Sequence, residues 1–378
     1  MMNQVYTEEQ LLDYIDQNKS FYIYGAGQSA KNLIKRLNRY NRKAKNILTT
    51  NGGDIVEGFD VIKFSDISQK LREINALVIV AVREFLFDEI AHNLIAQDVS
   101  NVIFVSTRLA NAMKRINDLQ FKFQTHIVEH CNLKCRGCYH FSSLAKEEYL
   151  SINEYEKDIE QLAKLFYGNI EEVFLLGGEP LLHPQITEFF SVTRKFVPRT
   201  AIKLLTNGLL LCNMKEDFWA SIVQNNIELW VTKYPVNFDY NKAEQIARDR
   251  GVKLHYFNSE PVRTLGYQPL TLKGDKDSKK NFVNCYRANE CVDLKHGRVY
   301  PCIIPAEIKP FNEYFNTHLG ENDKADYVNI YEVSSGMELL ERLERPINFC
   351  RYCNRDDISI FGKCEWSQTK YEITEWSE

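Results

Sequence analysis

Along the first third of the chain, short apolar runs alternate with stretches in which apolar residues return every three or four positions. The run "SFYIY" at residues 20–24 breaks at "GAGQSA" and resumes as "KNLIKRL", where Leu33, Ile34 and Leu37 share one helical face. That is the pattern of a strand, a glycine turn and a helix. Further strands are predicted at "AKNILTT", "ALVIVAV" and "NVIFVS", with an amphipathic helix over residues 84–96 between the last two. Such alternation makes an α/β unit with an open parallel sheet, here over residues 1–118.

The rhythm returns further on. "FQTHIVEH" predicts a strand, and Ser151 opens the helix "SINEYEKDIEQLAKLF", with Glu154 as its capping-box partner and Ile152, Tyr155, Ile159, Leu162 and Leu165 on one face. Strands follow at "EEVFLL", "AIKLLT", "IELWVT" and "VKLHYF", separated by helical patterns near 184–197, 214–225 and 240–250. Repeated strand-helix units predict a parallel sheet curling into a partial (β/α)6 barrel of TIM type over residues 119–260, with its chemistry at the C-terminal strand ends. Over residues 261–378 the elements shorten, "LKGDKDSKKN" gathers turn formers, and six cysteines fall between Cys285 and Cys364. This reads as a small cysteine-rich domain folded around metal.

Composition changes the picture in two respects. With 47 Lys and Arg against 51 Asp and Glu, the net charge of −4 gives no basic footprint for nucleic acid or an acidic membrane. The acidic, amphipathic "MMNQVYTEEQLLDYIDQ" lacks a secretion signal's basic start and apolar centre, and no apolar run spans a bilayer, so a cytoplasmic protein is expected. In a reducing compartment its ten cysteines are metal ligands and buried bystanders rather than disulfides.

The first glycine turn reads G-x-G-x-x-A, with Gly25, Gly27 and Ala30, and suits a phosphate at the following helix N-terminus. A nicotinamide dinucleotide site would also place an acidic residue at the end of the second strand, where this Rossmann-like unit has Thr49, Thr50 and Asn51. A nucleotide or nucleotide-sugar ligand and a scaffold that binds nothing small both stay open.

The strongest chemical signal is "EHCNLKCRGCYHF", which puts Cys131, Cys135 and Cys138 into eight positions. Three thiolates are too few for a closed zinc site, and soft sulfur ligands suit zinc or iron-sulfur clusters. The next strand ends carry "LLGGEPLLHP", with Gly177, Gly178, Glu179 and Pro180, and "LLTNG", with Thr206 and Asn207. C-x3-C-x2-C followed by Tyr139, then GGEP, then TNG, in this order on successive strand ends, resembles the radical S-adenosylmethionine (AdoMet) superfamily over residues 124–257. The resemblance implies a 4Fe–4S cluster on Cys131, Cys135 and Cys138, whose open iron chelates AdoMet. It further implies AdoMet contacts from Tyr139, Gly177, Gly178, Glu179, Pro180, Thr206 and Asn207, with Glu179 accepting from the AdoMet ammonium. Reductive cleavage then gives a 5'-deoxyadenosyl radical that abstracts hydrogen from substrate.

In the tail, Cys285, eleven residues, Gly297, four residues and Cys302 resemble the C-x9-15-G-x4-C element of the SPASM and Twitch subfamilies, and Cys350 and Cys353 supply the following C-x2-C. The full SPASM pattern continues x5-C-x3-C, whereas here Cys364 is the next cysteine. Seven cysteines remain beyond the triad, too few for two further four-cysteine cubes. The resemblance therefore implies one auxiliary 4Fe–4S cluster held by Cys285, Cys302, Cys350 and Cys353, with Cys291 and Cys364 as possible substitutes and a zinc knuckle as the alternative. Cys212 is a buried bystander or a hydrogen-atom donor, and Lys233, at the end of "IELWVTKYP", is a substrate-anion contact or a solvated rim residue.

The expected function is an oxidoreductase that takes hydrogen from a small carbohydrate or nucleotide-sugar substrate, giving oxidation or epimerisation. Gly25, Gly27 and Lys233 are its candidate substrate contacts, and a flavodoxin- or ferredoxin-type protein its electron donor. A ribosomal-peptide maturase and a non-catalytic iron-sulfur or zinc redox protein are the alternatives.

Overall fold

The computed structural model describes residues 3–5, 8–82, 86–105, 109–110, 121–265, 269–283, 285, 287–321, 323–354 and 364–378. Its contacts divide the chain into two compact units. One comprises Met1–Gln120 with the segments Phe282–Asn289 and Leu340–Pro346; the other comprises Phe121–Asn281, Glu290–Leu339 and Ile347–Glu378.

In the first unit the elements run β1 (Asn3–Val5), α1 (Glu8–Asp16), β2 (Phe21–Tyr24), α2 (Gln28–Arg39), β3 (Ile47–Thr49), β4 (Val61–Lys63), α3 (Phe64–Glu73), β5 (Leu77–Val80), α4 (Phe87–Ile95) and β6 (Val102–Val105). The strands form one sheet in the order β1-β6-β5-β2-β3-β4, with every neighbouring pair parallel. β2 and β5 are buried at every position, which is why they read as unbroken apolar runs. Phe21, Ile23, Leu77 and Ile79 face Leu11, Leu33 and Leu37 on one side, while Tyr22, Tyr24, Val78 and Val80 face Phe64, Leu71, Ile90 and Leu94 on the other. The helix expected over 84–96 is α4; residues 84 and 85 lie outside the described residues. Gly25 follows β2 where the strand order reverses, at φ +124°, and a Cβ there would lie 2.6 Å from the Ala81 carbonyl oxygen. A Cβ on Gly27, the residue before α2, would meet nothing within 4 Å.

In the second unit β7 (Lys122–Val128), α5 (Ile152–Leu165), β8 (Glu172–Gly177), α6 (Ile186–Phe196), β9 (Ala201–Thr206), α7 (Glu216–Gln224), β10 (Ile227–Val231), α8 (Tyr240–Asp249) and β11 (Leu254–Tyr256) alternate as the periodicity predicts. The five strands pair in parallel in sequence order, with helices between them, as in an open, partial barrel.

The tail adds β12 (Thr264–Leu265), β13 (Asp293–Lys295), β14 (Arg298–Tyr300), β15 (Val328–Asn329) and β16 (Cys364–Glu365). β13 joins the free edge of β7 in parallel, and β14 and β15 extend the sheet antiparallel. His296 and Gly297, at φ 51° and 69°, make the tight turn between β13 and β14. The Gly297 amide donates to Asp158 Oδ2 of α5 at 2.8 Å, and Tyr331 Oη donates to Oδ1 at 2.7 Å, so a buried carboxylate ties the hairpin to the barrel. Ser151 is the residue before α5, but its side chain makes no capping bond, and Glu154 pairs with His296 instead. The predicted capping box is thus replaced by a contact 142 residues away in sequence. Among the described residues, no helix is long and apolar enough to cross a membrane.

Candidate functional site

The C-terminal ends of β7 to β11 converge on one cavity of about 360 Å³. The segment after β7 contributes Cys131, Leu133, Cys135, Cys138, Tyr139, His140 and Ser142. The other strand ends bring Gly177 and Gly178, Thr206 and Asn207, Thr232 and Tyr234, and Phe257. A volume of this size lies in the range of small-molecule sites.

Each thiol sits among N–H donors. The Leu133 amide points at Cys131 Sγ from 3.3 Å, and the Trp366 indole Nε1 donates to Cys135 Sγ at 3.2 Å. Backbone N–H groups of His140, Phe141 and Ser142 face Cys138. Burial nevertheless dominates. It raises all three thiols above the ordinary thiol value, with Cys135 pushed up to about 12, helped by neighbouring Cys138, and Cys131 raised further by the Glu179 charge. The anionic sulfurs that the donors favour therefore call for a cationic centre.

Glu179 lies fully buried, where it joins two strand ends. Its Oε1 accepts from the Leu181 amide at 3.0 Å and Thr206 Oγ1 at 2.6 Å, and its Oε2 accepts from the Asn207 amide at 2.9 Å. Burial pushes its carboxyl up to about 7 against the pull of these three donors. An ionised carboxylate offers roughly four acceptor positions, so one remains at Oε2. Pro180 starts the short 3-10 turn Pro180–Leu182 that Glu179 caps. The glycines before it are required by the chain itself: a Cβ would lie 2.2 Å from the Val128 carbonyl oxygen at Gly177 and 2.1 Å from that of His130 at Gly178. Asn207 Nδ2 reaches back to Asn132 Oδ1 at 2.7 Å, bracing the cysteine segment.

The remaining sequence candidates fall elsewhere. Lys233 lies between the cavity-lining Thr232 and Tyr234, with its ammonium over the Tyr256 ring at 4.1 Å, and Cys212 lies in the 3-10 turn Leu211–Asn213; neither is among the cavity's lining residues. Gly25 and Gly27 belong to the first unit, as does Cys285, whereas Cys291, Cys302, Cys350 and Cys353 belong to the second. Cys302, Cys350 and Cys353 are buried, and Asn281 Nδ2 donates to the carbonyls of Cys350 and Cys353 at 2.9 and 2.7 Å. The Cys364 side chain lies outside the described residues.

Of Lys233 and Tyr234, both expected from the sequence at the barrel mouth, Tyr234 lines the cavity; sequence reasoning missed His140, Phe257 and Trp366, and the ion cluster behind the cavity wall. His140 Nδ1 lies 2.8 Å from His126 Nε2, and His126 Nδ1 lies 3.2 Å from Glu307 Oε2. Lys295 Nζ bridges Glu129 at 3.0 Å and Glu307 at 2.5 Å. Burial alone would lower His126, but the carboxylates of Glu307 and Glu129 raise it to about 10; they also hold Lys295 above its ordinary value. Burial, with the Glu307 charge, raises Asp293 well above the ordinary carboxylate value. The only available signal was the HxxE spacing of His126 and Glu129 on a predicted strand end.

Three soft donors, N–H groups aimed at the sulfurs and a cavity beside them fit a cluster bound through three cysteines with room for a ligand on the fourth iron. The fold and site thus define a barrel enzyme built around an iron-sulfur cluster. The family described as "Radical SAM superfamily" matches residues 125–250, so the chain carries a radical SAM domain. Members of that family bind a 4Fe–4S cluster and AdoMet. The chain is 27% identical over 278 residues to GTP 3',8-cyclase of Aquifex aeolicus (strain VF5), covering 65% of this chain and 82% of that one. It is 26% identical over 222 residues to the S-adenosylmethionine-dependent nucleotide dehydratase of Lacinutrix mariniflava, covering 50% of this chain and 45% of that one. Among solved structures, BtrN in complex with AdoMet and 2-DOIA aligns with a TM-score of 0.39 at 14% identity, over 68% of this chain and 97% of that one.

Proposed function

We propose that this enzyme abstracts hydrogen from a nucleotide-linked or sugar-like small molecule and ends in oxidation of an alcohol to a ketone, with epimerisation as the variant outcome. The observation that carries the reading is the convergence of five strand ends on a cavity lined by the cysteine triad, Thr206 and Asn207. A bound cluster and AdoMet would supply an electron and a carbon radical there. The chain's own part is to hold and exclude. Cys131, Cys135 and Cys138 hold the cluster, Oε2 of Glu179 offers its remaining acceptor position to the AdoMet ammonium, and Tyr139, Tyr234 and Phe257 line the cavity. Two relatives whose names specify nucleotide substrates support the substrate class, as does the glycine turn before α2, where Gly27 leaves space for a phosphate.

Cys302, Cys350 and Cys353 are proposed as ligands of an auxiliary cluster that takes the second electron, supported by their burial and the C-x2-C spacing. A flavodoxin- or ferredoxin-type donor would deliver the first electron. For epimerisation, Cys212, which does not line the cavity in this structure, would have to reach it to return a hydrogen atom. The test is anaerobic purification with mass spectrometry of co-purifying small molecules, followed by turnover of the molecule found. The expected product has lost two hydrogens. A folded Cys302→Ala variant is expected to keep forming 5'-deoxyadenosine and lose net oxidation. Oxidation at the wild-type rate by a variant shown to lack the auxiliary iron would refute the electron-acceptor role.

A further inference from the structure

The last described stretch of the chain, 364–378, lies against the cysteine loop. Cys135 and Gln368 form an antiparallel bridge; the Arg136 amide donates to the Ser367 carbonyl at 2.9 Å and the Thr369 amide to the Lys134 carbonyl at 2.8 Å. At the far end Trp376, 2% exposed, donates its indole N–H to the Cys138 carbonyl at 2.9 Å, and Arg136 pairs with Glu375 at 3.7 Å. The near end is fixed by β16 on β12 and by the Trp366 amide on the Arg263 carbonyl at 2.9 Å. Between these anchors the Trp366 indole points at the cysteine loop. Its Nε1 is 3.2 Å from Cys135 Sγ, and its ring lies 6.2 Å from that of Tyr234 on the cavity wall.

We infer that Trp366 is a positioning residue that sets the reduction potential of the triad's cluster through its N–H···S hydrogen bond to Cys135. The inference rests on the cluster assignment above. Hydrogen bonds to cluster sulfurs and exclusion of solvent are two of the protein's main means of setting the potential. A donor on a thiolate ligand stabilises the reduced cluster more than the oxidised one, because reduction adds negative charge that spreads onto the sulfurs. Trp366 therefore eases delivery of the electron that AdoMet cleavage needs. It donates to a triad sulfur from beyond the barrel strands, 231 residues away in sequence. The tail would thus act on the chemistry as well as on the fold.

The test is a potentiometric titration, followed by electron paramagnetic resonance, of the reconstituted full-length protein. Two variants are compared with wild type: Trp366→Phe, and Trp366 replaced by benzothienylalanine, which keeps the bicyclic ring and removes only the N–H. The second variant fixes the sign, because a smaller ring would also admit water, which acts in the opposite direction. The expected result is a more negative midpoint in the benzothienyl protein, with about tenfold less cluster reduced at a fixed potential, equivalent to ~59 mV for one electron. An unchanged or more positive midpoint in that protein, with its iron content equal to wild type, would overturn the inference. Wild-type protein without an iron chromophore would instead refute the cluster assignment, so the two failures are distinguishable.

Discussion

Cys135→Ala is expected to take AdoMet cleavage below detection while the chain stays folded. The thiol is buried at the mouth of the cysteine loop, and its removal deletes one small side chain, a loss on the order of 1–2 kcal/mol. The loop does not depend on the sulfur for its shape. It is held by the Cys135–Gln368 bridge, by Ser143 Oγ donating to the Cys135 carbonyl at 3.1 Å, and by Asn207 on Asn132. A cluster with two protein ligands in place of three has lost its anchorage, and no carboxylate is among the cavity's lining residues to replace the lost thiolate. Chromatography for 5'-deoxyadenosine, with circular dichroism and iron content as controls, checks the outcome. Cys131→Ala and Cys138→Ala should behave alike. Cys212→Ala should leave cleavage intact, since Cys212 does not line the cavity.

Lys295→Met is expected to cost about 3–5 kcal/mol of stability. In the native cluster the imidazolium of His126 and the ammonium of Lys295 face the carboxylates of Glu129 and Glu307. Methionine keeps much of the volume and removes one cation, leaving an uncompensated carboxylate beside a side chain that is fully buried at Glu307. Urea unfolding followed by tryptophan fluorescence measures the loss. The variant should regain stability as the pH falls, because protonating a carboxylate restores the balance. The double variant Lys295→Met with Glu307→Gln should recover most of the deficit at neutral pH. If the single variant is as stable as wild type at pH 7, the charge balance assigned to this cluster is wrong.

What the sequence disclosed and what it concealed divide along sequence distance. The triad, the glycine pair before Glu179 and the Thr206–Asn207 turn are local patterns on strands whose periodicity is itself local, so both their presence and their convergence were legible. The partnership of Glu179 with Thr206 spans two strand ends, yet the barrel's regularity places those ends side by side. Trp366 was not legible, since nothing near residue 366 in sequence says that its indole meets a sulfur 231 residues earlier. The ion cluster drew Lys295 and Glu307 from a tail read as a separate cysteine-rich domain, because the edge pairing of β13 with β7 has no local signature. For the same reason the Ser151–Glu154 capping box failed: His296, brought in by that hairpin, competes for the Glu154 carboxylate and takes it.

The central claim, that the three cysteines hold a 4Fe–4S cluster working with AdoMet, has a direct test. Wild-type protein purified without oxygen and reconstituted with iron and sulfide is reduced with dithionite in the presence of AdoMet. Binding of on the order of four or more irons per chain, a paramagnetic signal that changes when AdoMet is added, and methionine and 5'-deoxyadenosine formed in equal amounts are the predicted results. Stoichiometric zinc at the triad, with no iron absorption and no AdoMet turnover, would contradict the account.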